Sequence, residues 1–483
     1  MKVSRKSVIV SLIWKFLERV GTQLSTFILG IILARILSPT EYGTVSLITV
    51  FISIATVFVQ GGFNTALIQR KQTEETDFSS VLFFSLGVAM LLYAVLFFCA
   101  PLIARFYRLP ELVPIVRVLA LSLIPGAFNS IQVAYITRRM QFRKLFVSTL
   151  AASILSGLLG IFLAKRGAGA WAIVAQQLGT HVIVCLFLLV LSDWRPKLVF
   201  SMQSVRNLIP FGSRILASNL LISLYTNIRS LLIGRVYSKE DLAFFNRGNT
   251  FPATLMEAVN GSIQSVMLPT FSSVQDDLPQ LRSMLRRSVR ISAYIVFPLL
   301  VGLAAVAGPF IRLVLTEKWA FAIPYLQIFA LGYLTHPIQI STNQALKACG
   351  RSDLSLRIEI FRKILETVFL CAAIPLGPRM IAWSSVVSSL SACIVSAPVI
   401  RKHLSYGYAA QFRDLMPATL LSAAMFAAVY GLGRLTTLSD LLTLANSILV
   451  GAAVYVVLSA LTRNDSFCYL VGLIRRRKEP VDA

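Results

Sequence analysis

The sequence predicts an all-α, polytopic membrane protein of about fourteen transmembrane helices, arranged as two pseudo-symmetric six-helix lobes followed by a C-terminal helix pair. Three observations predict it. Of 483 residues, 56% are apolar and only 14% are charged, where a soluble globular protein carries about 25% charged residues. Apolar runs of roughly 20 residues, each able to cross a bilayer core of about 30 Å as a helix, recur along the chain with only short polar breaks. One segment of the first lobe also returns in the second.

The first run, 12–37, follows Lys2, Arg5 and Lys6 and contains Lys15, Glu18 and Arg19. That makes it an uncleaved helix rather than a signal peptide. Further spans follow at 43–68, 79–104, 112–136, 145–164, 168–191, 211–236, 250–271, 291–315, 321–346, 356–376, 380–400, 416–434 and 441–461. Turn residues mark the breaks, as at Ser38-Pro39, Gly167 to Gly169 and Pro375 to Pro378. The expected division is 1–195 (spans 1–6), 196–403 (spans 7–12) and 404–483 (spans 13–14 and a basic tail).

Lys and Arg number 46 against 21 Asp and Glu, a formal net charge of +25. With a cytoplasmic N-terminus, 32 of those 46 lie on the cytoplasmic side, including Arg138 to Lys144 and Arg475 to Lys478. The positive-inside rule thus accounts for most of the charge, and no nucleic-acid partner is needed. An even helix count keeps both of these clusters, and both termini, inside.

Shifting Gly30–Gly43 (GIILARILSPTEYG) by 200 residues lays it on Ser230–Ala243 (SLLIGRVYSKEDLA). Arg35 meets Arg235, Ser38 meets Ser238, and Glu41 meets Asp241. The shift superposes span 1 on span 7, six crossings later, so the repeat is parallel and its axis runs along the membrane normal.

Charged and amide side chains inside a membrane are costly and turn away from lipid. Span 2 carries Ser53, Thr56, Gln60 and Asn64 at helical steps. Span 7 carries Arg214, Ser218, Tyr225 and Arg229, with Asn219 and Asn227 beside them. Span 8 carries Glu257, Asn260 and Gln264, and span 10 carries His336, Gln339, Asn343 and Lys347. Span 1 adds Glu18 and Arg19, and span 4 adds Arg117, Asn129 and Gln132. Together these stripes predict a hydrated, net cationic cavity between the lobes, although any single amide also serves as glue between packed helices. Arg35 with Glu41, and Arg235 with Asp241, are expected to be structural pairs at helix ends. Glu359 with Lys363 and Arg362 with Glu366 are expected to neutralise each other at i, i+4. Glu257 is the preferred coupling carboxylate, with Glu18 second, because a buried acid has its pKa raised. His336 beside Pro337 is a titratable alternative.

No Walker A, HExxH or GxSxG motif is present. The six cysteines form no CxxC and no Cys/His cluster, which argues against a metal centre or a disulfide framework. No resident cofactor is expected; any ion would be a transported H+ or Na+.

The segment Ala34-Arg35-Ile36-Leu37-Ser38-Pro39-Thr40-Glu41-Tyr42-Gly43 resembles the span 1–2 signature of Wzx-type polysaccharide flippases, in the multidrug/oligosaccharidyl-lipid/polysaccharide exporter superfamily. Arg138 to Arg143, Gly167 to Ala172, Trp194-Arg195-Pro196 and Phe211-Gly212-Ser213 fit as well. The likeness covers nearly the whole chain and is strongest toward the colanic-acid-type branch. It implies movement of undecaprenyl-diphosphate-linked oligosaccharide across the bacterial inner membrane by gradient-driven alternating access, with a polymerase and export machinery as downstream partners. Related peptidoglycan-precursor flippases carry a cavity arginine in the second helix, where this chain has Gln60 and Asn64.

On that cargo, Arg19, Arg117, Arg214 and Arg229 are expected to attract the diphosphate, since guanidinium groups bind it at two points. Gln60, Asn64, Asn219, Asn227, Asn260 and Gln264 would meet sugar hydroxyls. The rival readings are an ion-coupled small-molecule exporter, disfavoured by the excess of Arg, and a membrane glycosyltransferase or polymerase, disfavoured by the lack of acidic catalytic residues and of a large outer loop.

Overall fold

The computed structural model describes residues 5–70, 73–435 and 439–476. Every regular element among them is helical. The chain packs as two compact units, Met1–Ala243 and Phe244–Ala483. The first holds α1 (Arg5–Ile36), α2 (Pro39–Gln60), α3 (Phe63–Gln69), α4 (Glu75–Tyr107), α5 (Leu112–Ala120), α6 (Leu123–Arg138), α7 (Phe142–Lys165), α8 (Ala170–Leu191) and α9 (Met202–Val236). Helix α10 (Lys239–Ser272) begins there and continues into the second unit. That unit adds α11 (Leu278–Ala305), α12 (Ala307–Leu315), α13 (Ile323–Tyr333), α14 (His336–Ala348), α15 (Ser352–Ala373), α16 (Pro378–Leu404), α17 (Tyr408–Leu435), α18 (Asp440–Leu461) and α19 (Asp465–Arg476).

Eleven helices among the described residues are long and apolar enough to cross a membrane. The expected count of fourteen is not reached by that measure. Helices α10 and α15 carry too many polar residues, and α13 and α14 are each too short. Large apolar side chains face outward on the spans, among them Phe98 and Val190, each 76% exposed. Such a surface suits hydrocarbon, not water.

Four expected spans are broken, the ninth of them at Val306 between α11 and α12. The second bends at Gly61 and Gly62, whose φ values of +53° and +70° are left-handed and open to glycine at little cost. A Cβ on Gly62 would lie 2.6 Å from the Gly212 carbonyl of α9, so the bend also permits close packing. Gln60 therefore ends α2 while Asn64 sits on α3, and the stripe read along the second span is not continuous. The fourth span breaks between α5 and α6, and the tenth at Leu334–Thr335. There Pro337 occupies the first turn of α14, where a missing N–H is tolerated.

The 200-residue repeat is visible in atomic detail. The Ser38 hydroxyl accepts from the Glu41 amide at 3.3 Å, and the Glu41 carboxylate accepts from the Ser38 amide at 2.6 Å. Ser238 and Asp241 exchange the same two bonds, at 3.0 and 3.3 Å. These are reciprocal capping boxes at the starts of α2 and α10. Glu41 and Asp241 thus act on backbone and serine, and Arg235 lies over the Phe106 ring at 5.1 Å. Replacing Ser38 by alanine is expected to cost about 1 kcal/mol, and Ser238→Ala the same, read as a lowered melting midpoint in detergent.

The first unit is closed by the strap 192–201. Trp194 is 1% exposed, packed against Phe78 and Tyr135. The Lys197 and Ser201 amides donate to the hydroxyls of Ser79 and Ser80. The Lys144 ammonium and Gln141 amide on Asp193 hold its carboxyl below the usual range. Arg138 donates to the Leu67 and Ile68 carbonyls, satisfying the end of α3. Helix α9 packs on α2 and α4 within this unit, so division by packing falls after Ala243, whereas division by repeat falls before α9.

Candidate functional site

Helix α14 presents His336, Gln339, Asn343 and Lys347 along one face, as steps of three and four require. That face lines a cavity of ≈ 280 Å³ in the second unit. Helix α10 contributes Asn260 and Gln264, α15 contributes Ser355, Glu359 and Arg362, and α16 contributes Ser396. Arg362 organises the wall. Its guanidinium donates to Glu359 Oε1 at 2.6 Å and to Gln339 Oε1 at 3.0 Å. Gln339 Nε2 in turn donates to the hydroxyls of Thr335 and Ser389. The His336 ring meets Tyr333 edge-on at 4.8 Å.

Four buried polar atoms in this wall have no hydrogen-bond partner among the described residues: Asn260 Oδ1, Asn343 Oδ1, Ser355 Oγ and Arg362 Nε. Two are pure acceptors, one is a pure donor and one is both. A buried group left unsatisfied costs about 1–3 kcal/mol, so the chamber is built for something that both donates and accepts. Hydroxyl-rich or amide-bearing ligands do so. Lys347 and Arg362 outweigh Glu359 and leave the lining cationic by one charge.

The expected site residues divide sharply. Asn260, Gln264 and His336 line the chamber. The others do not. Arg19 is exposed on α1, where Glu18 pairs with Lys15 at 2.7 Å. Gln60 is exposed, and Asn64 accepts from the Thr65 amide at 2.7 Å. Arg117 is held by α4, its guanidinium 4.2 Å above the Phe97 ring. Arg214 and Asn219 are exposed on α9, and Arg229 is half-buried. Asn227 donates to Ser53 Oγ at 3.1 Å, so here the amide serves as glue between α9 and α2. Glu257 is exposed on α10.

Sequence reasoning missed Arg362 and Glu359 as site residues. It paired them at i, i+4 with Glu366 and Lys363, but the bonds run at i, i+3: Glu359 with Arg362, and Lys363 with Glu366 at 3.0 Å. The available signal was the charge density of α15 itself, five charged residues from Arg357 to Glu366 within one apolar run.

The fold is that of known membrane transporters. A solved structure described as the lipid II flippase MurJ in an inward closed conformation superposes with a TM-score of 0.71, covering 95% of this chain and 99% of that one at 16% identity. The class is therefore a polytopic all-α membrane protein of transporter architecture. The family profile described as polysaccharide biosynthesis protein matches residues 32–324, and the chain belongs to that family. It is 27% identical over 410 residues to the teichuronic acid biosynthesis protein TuaB of Bacillus subtilis, covering 84% of this chain and 85% of that protein. It is 25% identical over 488 residues to the succinoglycan biosynthesis transport protein ExoT of Rhizobium meliloti, covering 99% of this chain and 97% of the other.

Proposed function

We propose that this protein translocates an undecaprenyl-diphosphate-linked oligosaccharide across the bacterial inner membrane, for exopolysaccharide, capsule or O-antigen assembly. The observation that carries the reading is the α10–α14–α15–α16 chamber with its unfilled acceptors and donors. Sugar hydroxyls offer both kinds of bond, and neither they nor a diphosphate can cross hydrocarbon without partners. Asn260, Gln264 and Asn343 would receive hydroxyls. Arg362 and Lys347 supply the positive charge that draws an anionic head toward them. Family membership, and the transport and polysaccharide roles that the relatives' names carry, support the same reading.

The lipid tail stays in the bilayer throughout, and the movement is alternating access driven by an H+ or Na+ gradient. His336 lies in the chamber wall and replaces Glu257 and Glu18 as the preferred coupling group, since it alone of the three faces the chamber. Arg214 and Arg229 remain the proposed diphosphate contacts of the first unit. Both termini are placed in the cytoplasm by the distribution of Lys and Arg, and the polymerase that uses the flipped unit is the expected functional partner.

Deleting the gene and analysing lipid-linked sugars tests this directly. The complete lipid-linked unit should accumulate on the cytoplasmic leaflet while polymer disappears. Loss of the lipid-linked unit itself would instead indicate an enzyme of its synthesis and end the proposal.

A further inference from the structure

A second cavity, of ≈ 370 Å³, lies in the second unit where α11, α17 and the start of α19 meet. Its charged lining is Arg286, Arg290, Arg413, Asp414 and Asp465, three cations against two anions. These charges are not equivalent. Asp414 is 3% exposed and takes a two-point bond from Arg286, both contacts 2.8 Å. That pair is a fixed part of the wall. Arg290 is held differently. Its Nη1 donates to Asp465 at 3.0 Å, and that carboxylate is 85% exposed. Its Nε, buried, has no hydrogen-bond partner among the described residues and stands 3.7 Å from Asp414. Arg413 has no partner among the described residues. The pocket thus offers a free guanidinium, Arg413, and on Arg290 an unfilled donor together with an exposed partner that is exchangeable, because such ion pairs contribute about 0–1 kcal/mol.

The surroundings say where the ligand comes from. Phe412, Met416 and Leu420 of α17 recur every four residues beside Arg413 and are 68%, 44% and 60% exposed. They form an apolar stripe that runs from the pocket along the span. Phe467 and Leu470 anchor α19 on the Tyr294–Leu421–Met425–Tyr455 cluster, and Arg287 lies over Tyr469 at 4.8 Å. Helix α19 follows directly on the end of α18, an apolar span, and the end of such a span reaches the membrane interface. The pocket is therefore level with lipid headgroups.

We propose that this cavity binds the phosphate of an anionic glycerophospholipid of the surrounding bilayer, with an acyl chain along the 412–416–420 stripe. Phosphate accepts from Arg290 Nε and from Arg413 and displaces Asp465 from Arg290. A surplus of one positive charge matches a phosphodiester better than a diphosphate. The inference is independent of the sugar chamber, which is walled by other helices.

The test uses the full-length protein in neutral detergent, with its melting midpoint followed as lipid is added, since a ligand that binds only the folded state raises that midpoint, and more so the tighter it binds. Phosphatidylglycerol should raise the midpoint and phosphatidylcholine should not. Arg413→Gln should weaken the phosphatidylglycerol response about tenfold. Asp465→Asn, by removing the competing carboxylate, should strengthen it severalfold, a change of sign that loss of structure cannot produce. Equal responses to the two phospholipids would overturn the proposal. So would Arg413→Gln and Asp465→Asn both matching the unaltered protein. A response to undecaprenyl diphosphate with none to phosphatidylglycerol would assign the pocket to the cargo and overturn it as well.

Discussion

Replacing Arg362 by alanine is expected to lower polymer export by tenfold or more while the amount of protein in the membrane stays normal. The arginine bonds Glu359 at 2.6 Å and Gln339 at 3.0 Å. Hydrogen bonds to charged groups contribute about 1.5–3 kcal/mol each, and about 1.4 kcal/mol is a tenfold change. Removing the guanidinium leaves Glu359 without its counter-ion and frees Gln339 from the register that aims it across the chamber. It also cancels the positive surplus of the lining, from Lys347 and Arg362 against Glu359 to one cation against one anion. Arg362→Lys keeps the charge and loses the fork, so it should restore export in part. Export unchanged in Arg362→Ala, measured as surface polysaccharide per unit of membrane protein, would remove the chamber from the transport path.

The second large effect is on stability. Asp414→Ala should destabilise the second unit by about 1.5–3 kcal/mol, because it removes charged hydrogen bonds and leaves Arg286, whose side chain is 31% exposed, without its counter-ion. Asp414 is 3% exposed, bonds Arg286 at two points and stands 3.7 Å from Arg290. The measurement is the melting midpoint of purified protein, with membrane yield as a second reading. Substituting both Asp414 and Arg286 by leucine should recover most of the loss, since apolar packing replaces a buried pair at little net cost. A double substitution as unstable as the single one would show that the pair is not the source.

The helical class and the breaks between spans were legible because they depend on neighbours in sequence; the capping boxes are equally local, although Glu41 and Asp241 were expected to pair with arginines. Apolar runs of membrane length, Ser38 three residues before Glu41, and Ser238 three before Asp241 are local patterns with local consequences. The face of α14 was legible for the same reason: a helix fixes which of its residues point together. What a face points at is not local. Asn227 and Asn260 look alike in sequence, yet one bonds Ser53 across a helix contact and the other leaves a buried oxygen unpaired in a chamber. Glu257 was ranked first as a buried acid, and it is exposed.

Composition and periodicity by themselves therefore determined that this chain lives in a membrane, that its polar residues sit on defined helix faces, and that its first helices recur 200 residues later. Tertiary structure decided which faces meet. It bent the second span at Gly61–Gly62, gave Arg117 to Phe97, and made Arg362 the centre of the site. The physical reason is range. Helix geometry and desolvation act residue by residue along the chain, whereas a cavity exists only where four helices leave space between them, and no single helix encodes the position of the other three.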